Sequence, residues 1–236
     1  MGIAYNPRIV TDGLIFAIDA GNPKCFTSGN TSCVNMVTQG AVTGANGTPG
    51  TGTHTPDTTA FPAYSSEAGG VFDFNFAGGR GMNVEEDLGS HSAITLEMWF
   101  YKTSSTGQYF TDARNNGGQW FLSNYTSDNI NYTDTLTYNF DATYNASSTN
   151  FLNQWFHMIV TSDSTGSKLY LNGAEVTPLL SNSLDEDLGV NFRIGTRYTD
   201  SSRWTGKMGP IRIYNKVLTS AEVLSNFAST KGRFGL

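Results

Sequence analysis

The sequence predicts an all-β fold in which two antiparallel sheets close on each other and one short helix follows. Three observations point there. Only 14% of the 236 residues are charged, against 26 glycines, and globular chains average about 25% charged. Apolar and polar residues alternate in several short segments: Phe72, Phe74 and Phe76 share one face opposite Val71, Asp73 and Asn75. Ile94, Leu96, Met98 and Phe100 likewise oppose Thr95, Glu97, Trp99 and Tyr101. The third is Asn172-Gly173, set between two strand-like runs. Both central residues of a type I′ turn need positive φ, which Asn tolerates and Gly adopts freely, so this dipeptide marks a hairpin.

In chain order, strands are expected at 13–19, 71–76, 94–101, 108–113, 119–124, 135–141, 155–162, 168–171, 191–195 and 207–214. They are rich in aromatic or β-branched residues and bounded by Gly, Asn, Asp or Ser. One apolar face per strand requires a second sheet to cover it. Pro210 cannot donate to a ladder and is expected at an edge or bulge. Residues 40–59 carry Gly, Thr and Pro without a period and are expected as one long loop. Thr219-Ser-Ala-Glu222 reads as a capping box opening a helix whose apolar face is Val223, Leu224 and Phe227. No boundary divides the chain, so one domain spans 1–236 with an amino-terminal arm at 1–12.

The ordered segments resemble the laminin-G-like, concanavalin A-like jelly-roll family. Ala93-Ile-Thr-Leu-Glu-Met-Trp-Phe-Tyr101 is similar to its first central strand. Trp155-Phe-His-Met-Ile-Val-Thr161 is similar to its Trp-x-His-x-x-x-Thr strand, and Lys168 to Gly173 to its Leu-Tyr-x-Asn-Gly hairpin. Phe192-Arg-Ile-Gly195 and Trp204-Thr-Gly-Lys-Met-Gly-Pro-Ile-Arg-Ile-Tyr214 resemble the closing strands, and Lys216-Val-Leu-Thr-Ser-Ala-Glu222 the capped helix. The opening, Tyr5-Asn-Pro-Arg-Ile-Val-Thr-Asp-Gly-Leu-Ile-Phe-Ala-Ile-Asp-Ala-Gly-Asn-Pro23, resembles laminin-G-like proteins of tailed, chiefly marine, phages. That likeness implies a virion surface component, a head decoration or a tail-fibre subunit. Its expected partners are other capsid or tail proteins, further copies of itself as a homo-oligomer, and host-surface polysaccharide.

A net charge of −6 argues against nucleic acid, because holding a phosphate backbone needs a Lys/Arg surface. No apolar run reaches the ~20 residues that cross a bilayer, so membrane insertion is not expected. The first eight residues lack the charged-then-apolar order of a secretory signal. The resulting expectation is synthesis in the host cytoplasm and display on the particle. Cys25 and Cys33 are too few for a disulfide framework or a four-ligand zinc site; a reduced pair or a local bridge are both open.

Sandwich hydrolases of related fold cleave sugars with two carboxylates about 5 Å or about 6.5–9.5 Å apart. Their Glu-x-Asp-x-x-Glu motif is absent, and Glu97 stands alone in its strand. The expectation is therefore no catalytic residue and no enzyme activity. His157, on an otherwise apolar strand, is expected to be structural, and Glu85-Glu-Asp-Leu-Gly89 with its echo at 185–189 to form solvated turns. Glycan binding needs an aromatic platform beside polar groups. The candidates are Arg114, Trp120, Tyr125, Tyr132, Tyr198, Asp200 and Arg203. No cofactor is required; calcium is the one ion the resemblance implies, with Asp73 and Asn75 as its candidate ligands. The family's acidic pair is replaced by Gly78-Gly79-Arg80, which removes negative charge from that place. A lectin-like module independent of any particle is the alternative reading, and a glycoside hydrolase or lyase a more remote one.

Overall fold

The computed structural model describes residues 7–47, 54–56, 61–74, 81–113, 121–124, 129–133, 138–143, 151–176, 186–187, 192–197 and 202–236. Among them lie nineteen strands, one α-helix and short 3-10 turns. The first strands are β1 (Leu14–Ile18), β2 (Ser32–Val34), β3 (Ala41–Gly47), β4 (His54–Pro56), β5 (Ala63–Ser65), β6 (Val71–Phe74) and β7 (Met82–Val84). Next come β8 (Ser90–His91), β9 (Ala93–Lys102), β10 (Gln108–Asp112), β11 (Phe121–Asn124), β12 (Asn129–Thr133) and β13 (Tyr138–Thr143). The last are β14 (Trp155–Asp163), β15 (Gly166–Leu171), β16 (Ala174–Glu175), β17 (Glu186–Asp187), β18 (Phe192–Ile194) and β19 (Gly206–Tyr214). Helix α1 (Ser220–Thr230) and a 3-10 turn, Lys231–Phe234, end the chain.

The strands form two antiparallel layers. The first sheet runs β16-β15-β14-β9-β19-β6-β5, with β1 also paired to β19. The second runs β13-β12-β11-β10-β18-β7-β3-β2, with β4 on β3. Alternation decides what lies between them. Ile94, Leu96, Met98 and Phe100 of β9 join Phe156, Met158, Val160, Ile211 and Ile213 in one buried cluster with Val84, Phe110, Leu122, Phe192 and Ile194 of the second sheet. Rings cross the gap, Phe16 to Phe192 at 5.5 Å and Phe100 to Phe110 at 5.0 Å. Burial of each such side chain stabilises the fold by about 1.5–3 kcal/mol, so this layer is the dominant favourable contribution. The result is the expected β-sandwich jelly roll with a short carboxyl-terminal helix.

Local chemistry behaves as the sequence predicts in three places. Asn172 and Gly173 adopt φ of 50° and 82° between β15 and β16, as the hairpin requires. Pro210 sits where the β19–β9 register slips between Met208 and Ile211, a bulge that needs no donor there. Thr219 and Glu222 form both halves of the capping box at the start of α1.

Three expectations need correction. The region 40–59 is not one loop: β3 pairs with β2 and β7, and β4 pairs with β3. Its ladder is formed by backbone, with Val42 its one core side chain among the described residues, so a Gly/Thr composition conceals it. On α1, Leu224 is 55% exposed while Asn226 is fully buried. Residues 223, 226, 227 and 230 are three or four apart and share one face; position 224 is turned out of it. The acidic echoes are not simple turns throughout: Glu85 and Asp87 are exposed as expected, but their neighbours are engaged. The Glu86 carboxylate accepts from Asn35 Nδ2 at 2.8 Å and from the Thr38 hydroxyl, Leu88 is buried, and β17 pairs with β8 through Glu186 opposite His91.

Candidate functional site

Each sheet has an outer face, and the two carry different polar chemistry. On the first sheet, Glu97, Arg212 and Tyr214 project from neighbouring strands to the side opposite the core. β9 places Glu97 directly across from Arg212 of β19 and Ile159 of β14. Glu97 is completely buried. Its Oε1 accepts from Arg212 Nη1 at 2.7 Å and from His157 Nε2 at 3.0 Å. Its Oε2 accepts from Asn226 Nδ2 at 2.8 Å and from the Tyr214 hydroxyl at 3.1 Å. Burial alone would raise the Glu97 pKa; the Arg212 charge, then His157 and Tyr214, outweigh it and hold the carboxyl at about 2. Burial, then the Glu97 charge, pushes the Tyr214 phenol up, so it remains a donor.

Helix α1 and the arm close this cluster. Val10 N–H donates to Asn226 Oδ1 at 2.8 Å, and Ser225 Oγ to the Arg8 carbonyl at 3.0 Å. Trp99 stacks on Phe234 with centroids 4.1 Å apart and lies 4.9 Å from the His157 ring. Completely buried and with four donors on its two oxygens, the Glu97 carboxylate is fully engaged within the described residues.

The second sheet's outer face is polar across its middle. Register places Thr43, Asn83, Arg193 and Asp112 side by side on β3, β7, β18 and β10. Asn83, Asp112 and Arg193 are buried. Asn83 Nδ2 donates to Glu85 Oε1 at 3.1 Å and Thr43 Oγ1 to the same oxygen at 3.3 Å, but Asn83 Oδ1 has no partner among the described residues. Beside this row a cavity of about 200 Å³ is lined by Gly107, Gln108, Tyr109, Ser123, Arg197 and Ser202. The Arg197 guanidinium lies 5.9 Å over the Tyr109 ring. Gln108 is fixed by Thr205: its Nε2 donates to Thr205 Oγ1 at 2.9 Å and its Oε1 accepts from Thr205 N–H at 3.1 Å. Ser123 lies opposite Tyr109, and its buried hydroxyl has no hydrogen-bond partner among the described residues. A ring face, a guanidinium, a carboxamide and an unused hydroxyl converging on a small cavity suit a hydroxyl-rich ligand.

Most of the sequence-based candidates are not among the described residues. Arg114, Trp120, Tyr125, Tyr198 and Asp200 lie outside the described residues, as does Asn75. Arg203 is half-buried between Ser202, which lines the cavity, and Trp204, which is in the core. Tyr132 pairs in register with Leu122, a core residue. Asp73 lines a separate cavity of about 280 Å³ with Phe74, Thr103, Thr205, Gly206 and Lys207. Lys207 is its register partner across β6 and β19. Calcium takes six to eight oxygens and favours several carboxylates; the described residues here supply one, Asp73, and its companion candidate Asn75 lies outside them. No cluster of three His, Cys, Asp or Glu suited to a metal occurs among the described residues. Sequence reasoning missed Tyr109, Ser123 and Arg197. For Tyr109 and Ser123 the available signal was a polar or amphipathic residue inside an expected strand.

Comparison with known proteins places this geometry. Residues 76–224 match the laminin-G-type family model described as the concanavalin A-like lectin/glucanases superfamily. Domain 4 of AbnA, a GH43 extracellular arabinanase from Geobacillus stearothermophilus solved with arabinotriose, superposes with a TM-score of 0.65 at 17% identity, covering 91% of this chain and 98% of that domain. The receptor binding domain of botulinum neurotoxin type G gives 0.61 at 11% identity, over 92% of this chain and 51% of the other. Trypanosoma rangeli sialidase with the inhibitor DANA gives 0.58 at 12%, over 98% and 36%. The chain thus spans about half of the neurotoxin domain and about a third of the sialidase. At these identities the likeness is one of fold. No curated protein matches in sequence. With a family model covering most of its length and the two antiparallel layers in place, the chain belongs to the concanavalin A-like lectin/glucanase superfamily.

Proposed function

We propose that this chain is a non-catalytic, glycan-recognising surface module, displayed on a phage particle as a decoration or appendage subunit. The observation that carries the glycan reading is the cavity on the second sheet, where Tyr109, Arg197 and the unpartnered Ser123 hydroxyl converge. Its likeness over nearly the whole of an arabinanase domain solved with arabinotriose supports a saccharide ligand. Placement of Glu97 in a sealed ion cluster supports binding without cleavage. The virion reading rests on the resemblance of residues 5–23 and on a low-charge surface that keeps −6 overall. In that setting the partners are neighbouring capsid or tail proteins, further copies of the chain, and host-surface polysaccharide.

A glycan array including bacterial surface polysaccharides tests the binding half. Retention of the wild-type chain, reduced at least tenfold in Arg197→Ala, is the expected result; an array with no hits defeats it. Electron microscopy of purified particles tests the other half. Regular copies on the shell identify a decoration, few copies at the tail a fibre, and absence from particles leaves a free-standing lectin-like module instead.

A further inference from the structure

Cys25 and Cys33 are free thiols in contact, and neither belongs to the polar faces described above. Cys25 lies in the connection leaving β1 of the first sheet; Cys33 lies in β2, the edge strand of the second. Both belong to the main core cluster, at 4% and 3% exposure. Backbone holds them together, since Val34 N–H donates to the Cys25 carbonyl at 3.0 Å. Cys33 precedes Val34 directly, so this bond sets the two thiols side by side in the core.

The surroundings treat the two sulfurs differently. Cys25 Sγ accepts from Asp19 N–H at 3.2 Å, whereas Cys33 Sγ, deeper in the core, accepts from no backbone N–H among the described residues. The Asp19 N–H and the neighbouring Cys33 thiol meet at this one sulfur, an arrangement that favours its thiolate. The nearby Asp19 carboxylate opposes this, but both its oxygens are held by Arg233, at 2.7 and 2.8 Å. Hydrogen bonding to Cys33 is the largest influence lowering the Cys25 pKa, and the same bond, with burial, raises that of Cys33. One thiol is set up as nucleophile and the other as its resolving partner.

We propose that Cys25 and Cys33 form a peroxide-driven inter-sheet bridge: Cys25 attacks a hydroperoxide, and Cys33 then closes the disulfide. In the first step the Cys25 thiolate takes one peroxide oxygen, breaking the O–O bond and releasing hydroxide, to give a sulfenic acid. In the second, Cys33 sulfur attacks Cys25 sulfur, its proton leaves with the departing hydroxyl, and water is lost. Two thiols and one hydrogen peroxide become one disulfide and two waters. The bond would staple the β5/β2 side of the sandwich, where Phe26 stacks on Phe61 and Tyr64 at 5.8 and 5.9 Å and meets Phe72 edge-on at 5.5 Å. Burial restricts attack to small oxidants, so a bulky aromatic disulfide reagent reacts slowly with the folded chain.

The folded protein is treated with a small excess of hydrogen peroxide, then denatured and alkylated with iodoacetamide. Intact mass reports loss of both alkylation sites and of two hydrogens, and peptide mapping places the bridge at Cys25–Cys33. Melting rises on the order of 5 °C and returns with reductant. In Cys33→Ser, dimedone traps a sulfenic acid on Cys25; in Cys25→Ser, Cys33 stays unlabelled. Two alkylatable thiols after oxidation of the wild-type chain overturn the proposal without recourse to any variant. Equal dimedone labelling of the two single variants overturns the division of roles.

Discussion

The outer faces of the two sheets each remove charged groups from water, yet they do so to opposite ends. On the first sheet, α1 and residues 8–10 lie over Glu97, and each carboxylate oxygen has two donors. On the second, buried Asn83 Oδ1 and Ser123 Oγ have no partner among the described residues, and the latter opens on a cavity. A buried polar atom without a partner costs about 1–3 kcal/mol. A satisfied cluster contributes to stability and specificity; an unsatisfied one holds bonding capacity that a ligand can use. On the function proposed above, the first face maintains the fold and the second binds. At the first cluster His157 Nδ1 is also without a partner among the described residues, while both oxygens of Glu97 are satisfied.

The comparison breaks most visibly at Glu97. Glu97→Gln leaves the Arg212 and His157 side chains without their anion and is expected to cost about 3–5 kcal/mol, read as a lower urea midpoint at pH 7. The folded-state pKa lies below its ordinary value of 4.5, at about 2. Its stabilisation, about 3 kcal/mol, is therefore complete above pH 4.5 and declines as pH falls toward 2. Denaturation midpoints at pH 7, 4 and 2.5 should converge between wild type and variant as the pH drops. Parallel lines across that window contradict the sealed ion cluster.

A smaller effect of opposite sign is expected at the other face. Ser123→Ala removes a hydroxyl that has no partner, so stability rises by about 1 kcal/mol while glycan retention falls. Stability and binding moving together would mean that Ser123 serves the fold alone. Smallest is Thr219→Ala, which removes the cap of α1 and costs about 1 kcal/mol without changing binding. If it weakens retention on the array, the two faces are coupled and the separation drawn between them is wrong.

How much of this the sequence discloses depends on where a residue's partner comes from. β9 and β14 are legible because their own alternation sorts Ile94, Leu96, Met98, Phe156, Met158 and Val160 to the core. The capping box and the Asn172-Gly173 turn are legible because each is closed within a few residues. β3 is not, since its pairing with β2 and β7 is carried by backbone and, among the described residues, by one core side chain, Val42. On α1, Asn226 escapes notice because its value lies in Glu97, 129 residues away. At the candidate site, the β10–β11 register slips between Tyr109 and Thr111, which disturbs the period that would have sorted Tyr109 to the outer face. Nothing in the sequence marks the Ser123 hydroxyl as unpartnered, because that is a property of the assembled layers.

The most direct measurement pairs the two faces in one assay, with Glu97→Gln, Arg197→Ala and wild type, all confirmed as folded, applied to the same polysaccharide array and then assayed for reducing ends released. Retention by wild type and Glu97→Gln, its loss in Arg197→Ala, and no release by any of the three is the expected result. Release of reducing ends by wild type that disappears in Glu97→Gln would contradict the account, because it would give the buried carboxylate a catalytic role.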